Sequence, residues 1–349
     1  MDGLAERFIQ NPLLRPADVK ASMPGLKVAC LLNPGVFQFN DKTFLIVRVA
    51  ERPEQSEGKI SFPIINAAGK TVIKEIALDD ADLIASDARV IRYRGVDWLT
   101  TLSHLRLFSS DDGIHFSEDP DYPPIFGKPG LESFGIEDCR VAKIENTYWL
   151  TYTAVSENGV GVGMQATEDW KHFTRHGMIL PPHNKDCALF PEKINGKFYA
   201  LHRPGTIDNK NFIWIASSPD AVHWGGHKCI VKTREDLWDN ARVGAGASPI
   251  KTPQGWLAIY HGANHEHRYC LGAFLMDPDD PAKVIARTAG PIMEPQEPYE
   301  LEGFFGHVVF TNGHIVDGDT ITIYYGAADE LVCGARFSIS KILNALIFI

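Results

Sequence analysis

The segment best suited to acid–base chemistry is Phe134-Gly135-Ile136-Glu137-Asp138-Cys139-Arg140. In such a group an arginine can keep one carboxylate ionised, while burial keeps the other neutral and able to donate a proton. The alternative is a structural ion pair between Asp138 and Arg140 in a turn, and pairs of that kind are the commoner case. The residues by themselves leave both interpretations open.

Basic residues recur in later segments that could bind an anion. Lys185 precedes Asp186 in residues 183–193, and Arg203 follows soon after in Leu201-His202-Arg203-Pro204. Together they could hold an anion through charge-assisted hydrogen bonds, unless the lysine is solvated and the arginine is stacked on an aromatic ring. Residues 240–249 are rich in glycine and contain Arg242. They lack the G-x-G-x-x-G pattern of dinucleotide-binding loops, so their glycines admit a ligand close to the backbone or simply turn the chain.

Two similar segments combine aromatic rings with polar groups, Tyr260-His261-Gly262-Ala263 and Tyr324-Tyr325-Gly326-Ala327-Ala328-Asp329. An aromatic platform beside a hydrogen-bonding group can hold a sugar; core aromatics next to a polar residue are the alternative. A metal site is not expected, because residues 265–267 have no second cluster at ligand spacing. A serine nucleophile is not expected either, because no G-x-S-x-G elbow occurs.

Composition narrows the class of partner. The 349 residues carry 34 basic and 44 acidic side chains, and the formal net charge of -10 argues against nucleic acid or an anionic membrane. No signal peptide and no stretch long enough to span a bilayer is visible. Six scattered cysteines without a C-x-x-C pair predict reduced thiols and a cytoplasmic protein.

The elements that must position these residues are short β-strands that repeat along the chain. A polar turn followed by an aromatic and β-branched run is typical of a hairpin that enters a strand. Repetition at about 40–60 residues favours a propeller. A pair of β-sandwiches would explain the strands but not the recurrence. The copies are residues 40–47, 96–100, 146–152, 195–201, 254–260 and 317–324.

A second repeat is an acidic turn that ends in histidine and an aromatic residue, at residues 110–116, 167–173 and 218–224. We expect these turns to close the outer hairpins of successive blades. Six copies of the hairpin pattern allow either five blades with a closing strand or six blades. Helical periodicity is visible only near residues 339–346. We expect one domain over residues 1–349, with an N-terminal arm (1–24) and a C-terminal segment (338–349) that pack on it or mediate a homo-oligomer.

Taken together, the segments resemble glycoside hydrolase family 130, the mannoside phosphorylases and related mannosidases. The resemblance runs over nearly the whole chain, and its segments are specific in combination. It implies an all-β, five-bladed β-propeller. It is strongest toward the branch that acts on β-1,2-linked mannosides, because of Asn184-Lys185-Asp186 and Gly303-Phe304-Phe305-Gly306.

The resemblance also implies roles for individual residues. Asp138 matches the general acid of the family, and the substrates are a β-mannoside oligosaccharide and inorganic phosphate, with no other cofactor. Basic positions that surround the phosphate are matched by Arg48, Lys185, Arg203 and Arg242. Positions expected to contact the substrate are matched by Asn33, Asp186, Tyr260, His261 and Asp329.

The implied reaction is inverting phosphorolysis that yields α-mannose 1-phosphate. A β-1,4-mannoside phosphorylase and an inverting β-1,2-mannosidase are the alternatives within the family. The mannosidase needs a carboxylate base about 6.5–9.5 Å from the acid, for which Glu235 and Glu266 are the candidates. A propeller that binds sugar without catalysis is the alternative from another class, but it gives no reason to combine an acid with a cationic cluster.

Overall fold

The computed structural model describes residues 3–85, 89–206 and 211–349. The predicted all-β class is confirmed, and among these residues no helix is long and apolar enough to cross a membrane. From the N-terminus the first elements are β1 (Glu6–Arg7), a 3-10 helix (Pro16–Asp18), β2 (Leu26–Phe39), β3 (Lys42–Pro53), β4 (Lys59–Ile65), β5 (Thr71–Ala77), β6 (Leu83–Ile84), β7 (Val90–Tyr93), β8 (Val96–Leu99), β9 (Leu102–Ser110) and β10 (Ser117–Glu118).

The rest of the chain continues in the same manner. The predicted helical periodicity is confirmed as α2. The elements are β11 (Ile136–Ile144), β12 (Thr147–Ser156), β13 (Gly159–Thr167), β14 (Thr174–Leu180), β15 (Asn184–Leu189), β16 (Phe198–Pro204), β17 (Ile213–Ser218), β18 (Gly225–Val231), β19 (Arg242–Ala245), β20 (Ile250–Thr252), β21 (Gly255–Ala263), β22 (Tyr269–Met276), β23 (Val284–Thr288), α1 (Pro298–Leu301), β24 (Val309–Asp317), β25 (Thr320–Ala327), β26 (Leu331–Ser338), α2 (Ile339–Asn344) and β27 (Leu346–Phe348).

Within the described ranges these strands form five antiparallel sheets of four or more strands and two small ones. Sheet 1 has the order β2-β3-β9-β10, sheet 2 is β11-β12-β13-β14, and sheet 3 is β15-β16-β17-β18. Sheet 4 is β19-β21-β22-β23-β27 with β20 beside β21, and sheet 5 is β24-β25-β26-β1. The small sheets β4-β5 and β6-β7-β8 are inserted between two strands of sheet 1.

The hairpin repeat has two structural outcomes. In each large sheet of the described chain, one copy supplies the second strand: β3, β12, β16, β21 or β25. The copy at residues 96–100 instead forms β8 of the inserted small sheet. A strand pattern reports local conformation and not the sheet that a strand joins, which is why the sequence could not separate these cases.

The acidic turns lie where the second repeat places them, between β9 and β10, β13 and β14, and β17 and β18. In the first, Asp112 Oδ1 accepts the backbone N–H groups of Ile114 and His115. Asp169 and Asp220 accept the corresponding groups in the other two turns. Each aspartate accepts hydrogen bonds from backbone N–H groups of its own turn, and this explains why an acidic residue recurs at that position.

Apolar clusters join each large sheet to the next. One of them packs Phe44 and Leu107 of sheet 1 on Ile136 and Leu150 of sheet 2, and others join sheets 2 and 3, 3 and 4, and 4 and 5. A further cluster packs sheet 5 on sheet 1. Each large sheet is therefore covered on both faces, and this is why strands such as β21 are apolar and buried along their length.

The two termini pack on the last sheets. β1 pairs with β26, so the N-terminal arm supplies the outer strand of sheet 5, and Arg7 is ion-paired with the buried Glu300 at 2.8 Å. β27 pairs with β23 at the edge of sheet 4 and leaves Phe348 and Ile349 exposed.

Candidate active site

Eight of the ten predicted site residues, all within the described ranges, line one cleft of about 320 Å³. The cleft is bounded mainly by the first and second strands of the large sheets, by the insertion in sheet 1 and by the segment before β24. The remaining two, Asp186 and Tyr260, lie outside its lining. The eight are Asn33, Arg48, Asp138, Lys185, Arg203, Arg242, His261 and Asp329.

Irregular pairing at equivalent positions directs several of these side chains. The first strands of sheets 1, 2 and 3 have a bulge where they pair with the second strand. Asn33, Asp138 and Asp186 occupy these bulges with φ of 36°, 48° and 52°. Asparagine and aspartate tolerate the left-handed region better than other side chains, and a bulge re-aims a side chain out of the regular alternation. The first strands of sheets 1, 2 and 3 therefore each carry a short polar residue at an equivalent bulge.

Asp138 is held by two hydrogen bonds to one carboxylate oxygen. Asn33 Nδ2 donates to Asp138 Oδ1 at 3.1 Å, and Arg48 Nη1 donates to the same oxygen at 3.1 Å. Arg48 also donates from Nη2 to Glu137 Oε1 at 2.7 Å. Arg48 was predicted with the phosphate-binding cations, and in the structure it donates to both carboxylates.

The charge around Asp138 decides its ionisation. Burial alone would raise the pKa of this carboxyl. The positive charges of Arg48, Lys185 and Arg140 outweigh burial and hold the pKa of Asp138 below its ordinary value. The carboxyl of Asp138 is therefore ionised at neutral pH, and donation of a proton requires that this positive field be offset first.

Asp329 behaves in the opposite way. It follows β25, and burial raises the pKa of its carboxyl to about 6 against the lowering effect of Arg48. The negative charge of Asp138 adds to the rise. The cleft thus pushes the pKa values of these two carboxyls apart, downward for Asp138 and upward for Asp329.

We expect the raised pKa of Asp329 to make the free energy of unfolding depend on pH. A carboxyl that binds its proton more tightly in the folded state than in the unfolded state loses stability as pH rises between the two pKa values. The unfolding free energy of the wild type relative to Asp329→Asn should therefore fall from about pH 4 to about pH 6 and then stay constant. Denaturant titrations of both proteins in phosphate-free buffers measure it; a difference independent of pH would contradict the shift.

Three cations lie on the side of the cleft formed by sheets 3 and 4. Lys185 and Arg203 face each other on the paired strands β15 and β16, and Arg242 begins β19. Arg242 Nη1 donates to the Tyr269 hydroxyl at 3.0 Å. Arg203 Nη1 is 3.3 Å from His261 Nε2. These groups make this side of the cleft cationic.

Asp186 lies beneath this cationic side. Its carboxylate is 3.1 Å from Arg203 Nε, 3.2 Å from Arg140 Nη2 and 3.3 Å from His261 Nε2. Burial raises the pKa of Asp186, but Arg203 and His261 outweigh burial and hold it well below its ordinary value. Burial lowers the pKa of His261 to about 4, against the raising effect of Asp186. Asp186 thus orients Arg203 and His261 from below instead of facing the cleft, as a substrate-binding residue would.

Tyr260 requires a correction. It packs in the core between sheets 3 and 4, where its hydroxyl donates to Asp239 Oδ2 at 2.7 Å and accepts from Arg287 Nε at 3.0 Å. Successive side chains of a strand point to opposite faces, so Tyr260 faces away because His261 faces the cleft. The aromatic ring that the sequence assigned to a sugar belongs to the core.

A Tyr260→Phe variant should therefore lose stability and keep its kinetics. The hydroxyl it removes leaves Asp239 and Arg287 with one partner fewer, which costs about 1–2 kcal/mol of unfolding free energy. We expect the KM values for sugar and phosphate to stay within about twofold of wild type. Urea denaturation and steady-state kinetics provide the measurements. Unchanged stability together with a large rise in either KM would show that Tyr260 acts in substrate binding.

The cleft also contains residues that the motifs did not predict. Arg89 and Leu99 come from the insertion in sheet 1, and Phe305 comes from the segment before β24. The sequence signal for this last segment was Gly303-Phe304-Phe305-Gly306, which supported the resemblance to the β-1,2 branch but was not assigned to the site. Glu235 and Glu266, the candidate bases of a mannosidase, are both exposed and lie outside the cleft lining. Further lining residues are Val90, Glu137, Tyr269, Val308 and Phe310.

Comparison with known proteins identifies the class. The model of glycoside hydrolase family 130, described as beta-1,4-mannooligosaccharide phosphorylase, matches residues 82–347. The beta-1,2-mannobiose phosphorylase of Listeria innocua is 44% identical over 97% of this chain and 98% of its own length. A 1,2-beta-oligomannan phosphorylase of Thermoanaerobacter sp. strain X514 is 42% identical over 66% of this chain and 77% of its own.

A solved structure agrees with these matches. The Listeria innocua beta-1,2-mannobiose phosphorylase in complex with beta-1,2-mannobiose superposes with a TM-score of 0.94 at 42% identity, covering 99% of both chains. The fold is that of a carbohydrate-active enzyme of the glycoside hydrolase class. Within that class, the chain belongs to glycoside hydrolase family 130.

Proposed function

We propose that this protein is an inverting phosphorylase that cleaves β-1,2-linked mannosides and releases α-mannose 1-phosphate. The observation that carries the reaction type is the cleft itself, in which the carboxylate of Asp138 shares a small volume with Lys185, Arg203 and Arg242. A protein of net charge -10 that keeps these cations in one cleft has a site suited to a dianion. The β-1,2 linkage rests on the names of the relatives that are 44% and 42% identical.

The three cations and His261 would hold phosphate against the anomeric carbon. Attack by a phosphate oxygen forms the new C–O bond as the glycosidic C–O bond breaks, with inversion. Asp138 gives its proton toward the departing oxygen, directly or through a sugar hydroxyl. Phosphate is already a nucleophile, so no protein base is required.

Phosphate also explains how Asp138 could gain its proton. Lys185 contributes to the positive field that holds the pKa of Asp138 low. A bound dianion offsets that field and raises the pKa again, since nearby negative charge disfavours the carboxylate. In this proposal the acid becomes competent when its co-substrate is bound.

The proposal includes the fold that brings these groups together. We propose that the five large sheets are the blades of a five-bladed β-propeller and that residues 1–349 form one catalytic domain. The apolar clusters that join each sheet to the next, and sheet 5 to sheet 1, support a closed ring. A cytoplasmic location is part of the proposal and is favoured by the thiols of all six cysteines, which are described and free.

Product analysis with and without phosphate tests the reaction. On β-1,2-mannobiose we expect mannose 1-phosphate and mannose in phosphate buffer and no turnover without phosphate. Free mannose released at equal rates in both buffers would establish a mannosidase instead. Absence of turnover on both β-1,2- and β-1,4-mannosides would leave a sugar-binding propeller, and a preference for β-1,4-mannosides would overturn the linkage.

A further inference from the structure

The insertion in sheet 1 contains a second cavity of about 420 Å³. This insertion cavity lies between the two small sheets, with Phe62 and residues 74–77 on one side and Tyr93, Val96 and Trp98 on the other. In the part of the chain that the structure describes, it shares no lining residue with the active-site cleft. Cavities that bind small molecules commonly measure about 300–1,000 Å³, so this one is large enough to be a separate site.

The β7-β8 hairpin separates the insertion cavity from the cleft. Val90 pairs with Leu99, and both line the cleft. Tyr93 pairs with Val96, and these two residues line the insertion cavity together with Trp98. Because side chains alternate between the two faces of a strand, the two sets lie on opposite faces of one small sheet. The insertion cavity is therefore behind a wall of the cleft and is not an extension of it.

The indole of Trp98 is held in place but lacks a hydrogen-bond partner. The Phe62 ring lies 5.4 Å from the Trp98 ring, and Lys74 Nζ lies 4.2 Å from its centroid. The indole Nε1–H is buried and has no acceptor among the described residues. A buried donor without a partner costs about 1–3 kcal/mol. An oxygen atom of a ligand in the cavity would supply the missing acceptor.

The charged groups of the cavity are balanced. Lys74 and Arg94 are cations, and Glu75 and Asp80 are anions. Ammonium and guanidinium groups only donate hydrogen bonds and ionised carboxylates only accept them, whereas a hydroxyl does both. Equal numbers of opposite charges give an ion no net attraction. This lining therefore suits a neutral ligand with many hydroxyl groups better than a phosphate or another ion.

The cavity also offers a fixed aromatic ring. The Tyr93 hydroxyl donates to Asp80 Oδ2 at 3.1 Å, which fixes the orientation of the ring. An aromatic ring can cover the C–H face of a pyranose. A group that is already ordered binds a ligand without first losing conformational freedom.

We propose that the insertion cavity is a second binding site for a neutral oligosaccharide, separate from the cleft in which the glycosidic bond is cleaved. The choice of a β-mannoside as its ligand rests on the proposed function. Three features support a sugar: the aromatic ring, the balanced set of donors and acceptors, and the indole N–H without a partner.

Calorimetric titration with β-1,2-mannotriose tests the site, in the Asp138→Asn variant so that turnover is suppressed. We expect two trisaccharides bound per chain. Adding Tyr93→Ala should weaken one of the two sites about tenfold, corresponding to about 1.4 kcal/mol, and leave the other unchanged. A stoichiometry of one, or two sites that both keep their affinity in the Tyr93→Ala variant, would overturn the proposal.

Two further variants, also made in Asp138→Asn, control for effects on the fold. Tyr122 is half-buried like Tyr93 and belongs to neither described lining, so Tyr122→Ala should keep both sites. Ala77 is exposed and lines the insertion cavity, so Ala77→Tyr fills the cavity without removing a side chain that binds. Should Tyr93→Ala fail to fold, Ala77→Tyr should abolish the same site, and a second site that persists in it would overturn the proposal.

Failure of the proposed function gives a different result from failure of this inference. A wild-type protein that releases free mannose at equal rates with and without phosphate refutes phosphorolysis, while two bound trisaccharides still establish the second site. Formation of mannose 1-phosphate with only one trisaccharide bound per chain refutes the second site and leaves the proposed function intact.

Discussion

Asp138→Asn is expected to lower kcat for phosphorolysis of β-1,2-mannobiose by about 10³-fold, because general acid catalysis contributes about 10²–10⁴-fold. Asparagine keeps the shape and the contact with Arg48 but has no acidic proton to give to the leaving oxygen. The KM for phosphate should stay within a few-fold of wild type, since Lys185, Arg203 and Arg242 are unchanged. Steady-state kinetics in both substrates, with thermal unfolding to confirm the fold, measure the effect.

The acid role can be separated from a structural one by changing the leaving group. A nitrophenyl β-mannoside needs little help from an acid because its phenolate leaves readily. Asp138→Asn should therefore lose far less activity on that substrate than on mannobiose. Asp112→Asn, in an outer turn, is the control and should retain wild-type kinetics. Near-normal turnover of mannobiose by Asp138→Asn, or an equal loss on both substrates, would contradict the assignment.

Lys185→Met is expected to lower kcat/KM for phosphate by about 100-fold, with a much smaller change in the KM for the sugar. The substitution keeps the apolar stem of the side chain and removes one cation from the phosphate side of the cleft. A hydrogen bond to a charged group contributes about 1.5–3 kcal/mol, which corresponds to about 10–150-fold. Initial rates at varied phosphate and fixed saturating mannobiose provide the measurement.

The control for this variant is Lys251→Met. Lys251 is exposed, pairs with Glu192 at 2.6 Å and lies outside the cleft lining. Lys251→Met removes the same charge from the protein as Lys185→Met does. A loss of kcat/KM that depends on net charge alone should therefore appear in both variants. Equal phosphate kinetics in the two variants would show that Lys185 does not hold the co-substrate.

Local pattern was sufficient for the strands and for the outer turns. The hairpin repeat identified β3, β12, β16, β21 and β25, because a polar turn followed by an apolar run specifies local conformation. It failed at β8, whose sequence has the same pattern but which pairs within the insertion. Which sheet a strand joins depends on packing partners that are distant in sequence.

The site divides in a similar way. The sequence by itself determined the residue types, their positions at strand ends and the family, and these brought Asp138, Lys185, Arg203 and Arg242 to attention. Only the tertiary structure decided that Arg48 contacts the carboxylates, that Tyr260 faces the core, and that Phe305 meets Arg89. The physical reason is that hydrogen bonds and ring contacts act only over a few ångströms, whereas Arg48 and Asp138, for example, lie 90 residues apart in the sequence. Pairing and packing set those distances, and sequence spacing does not.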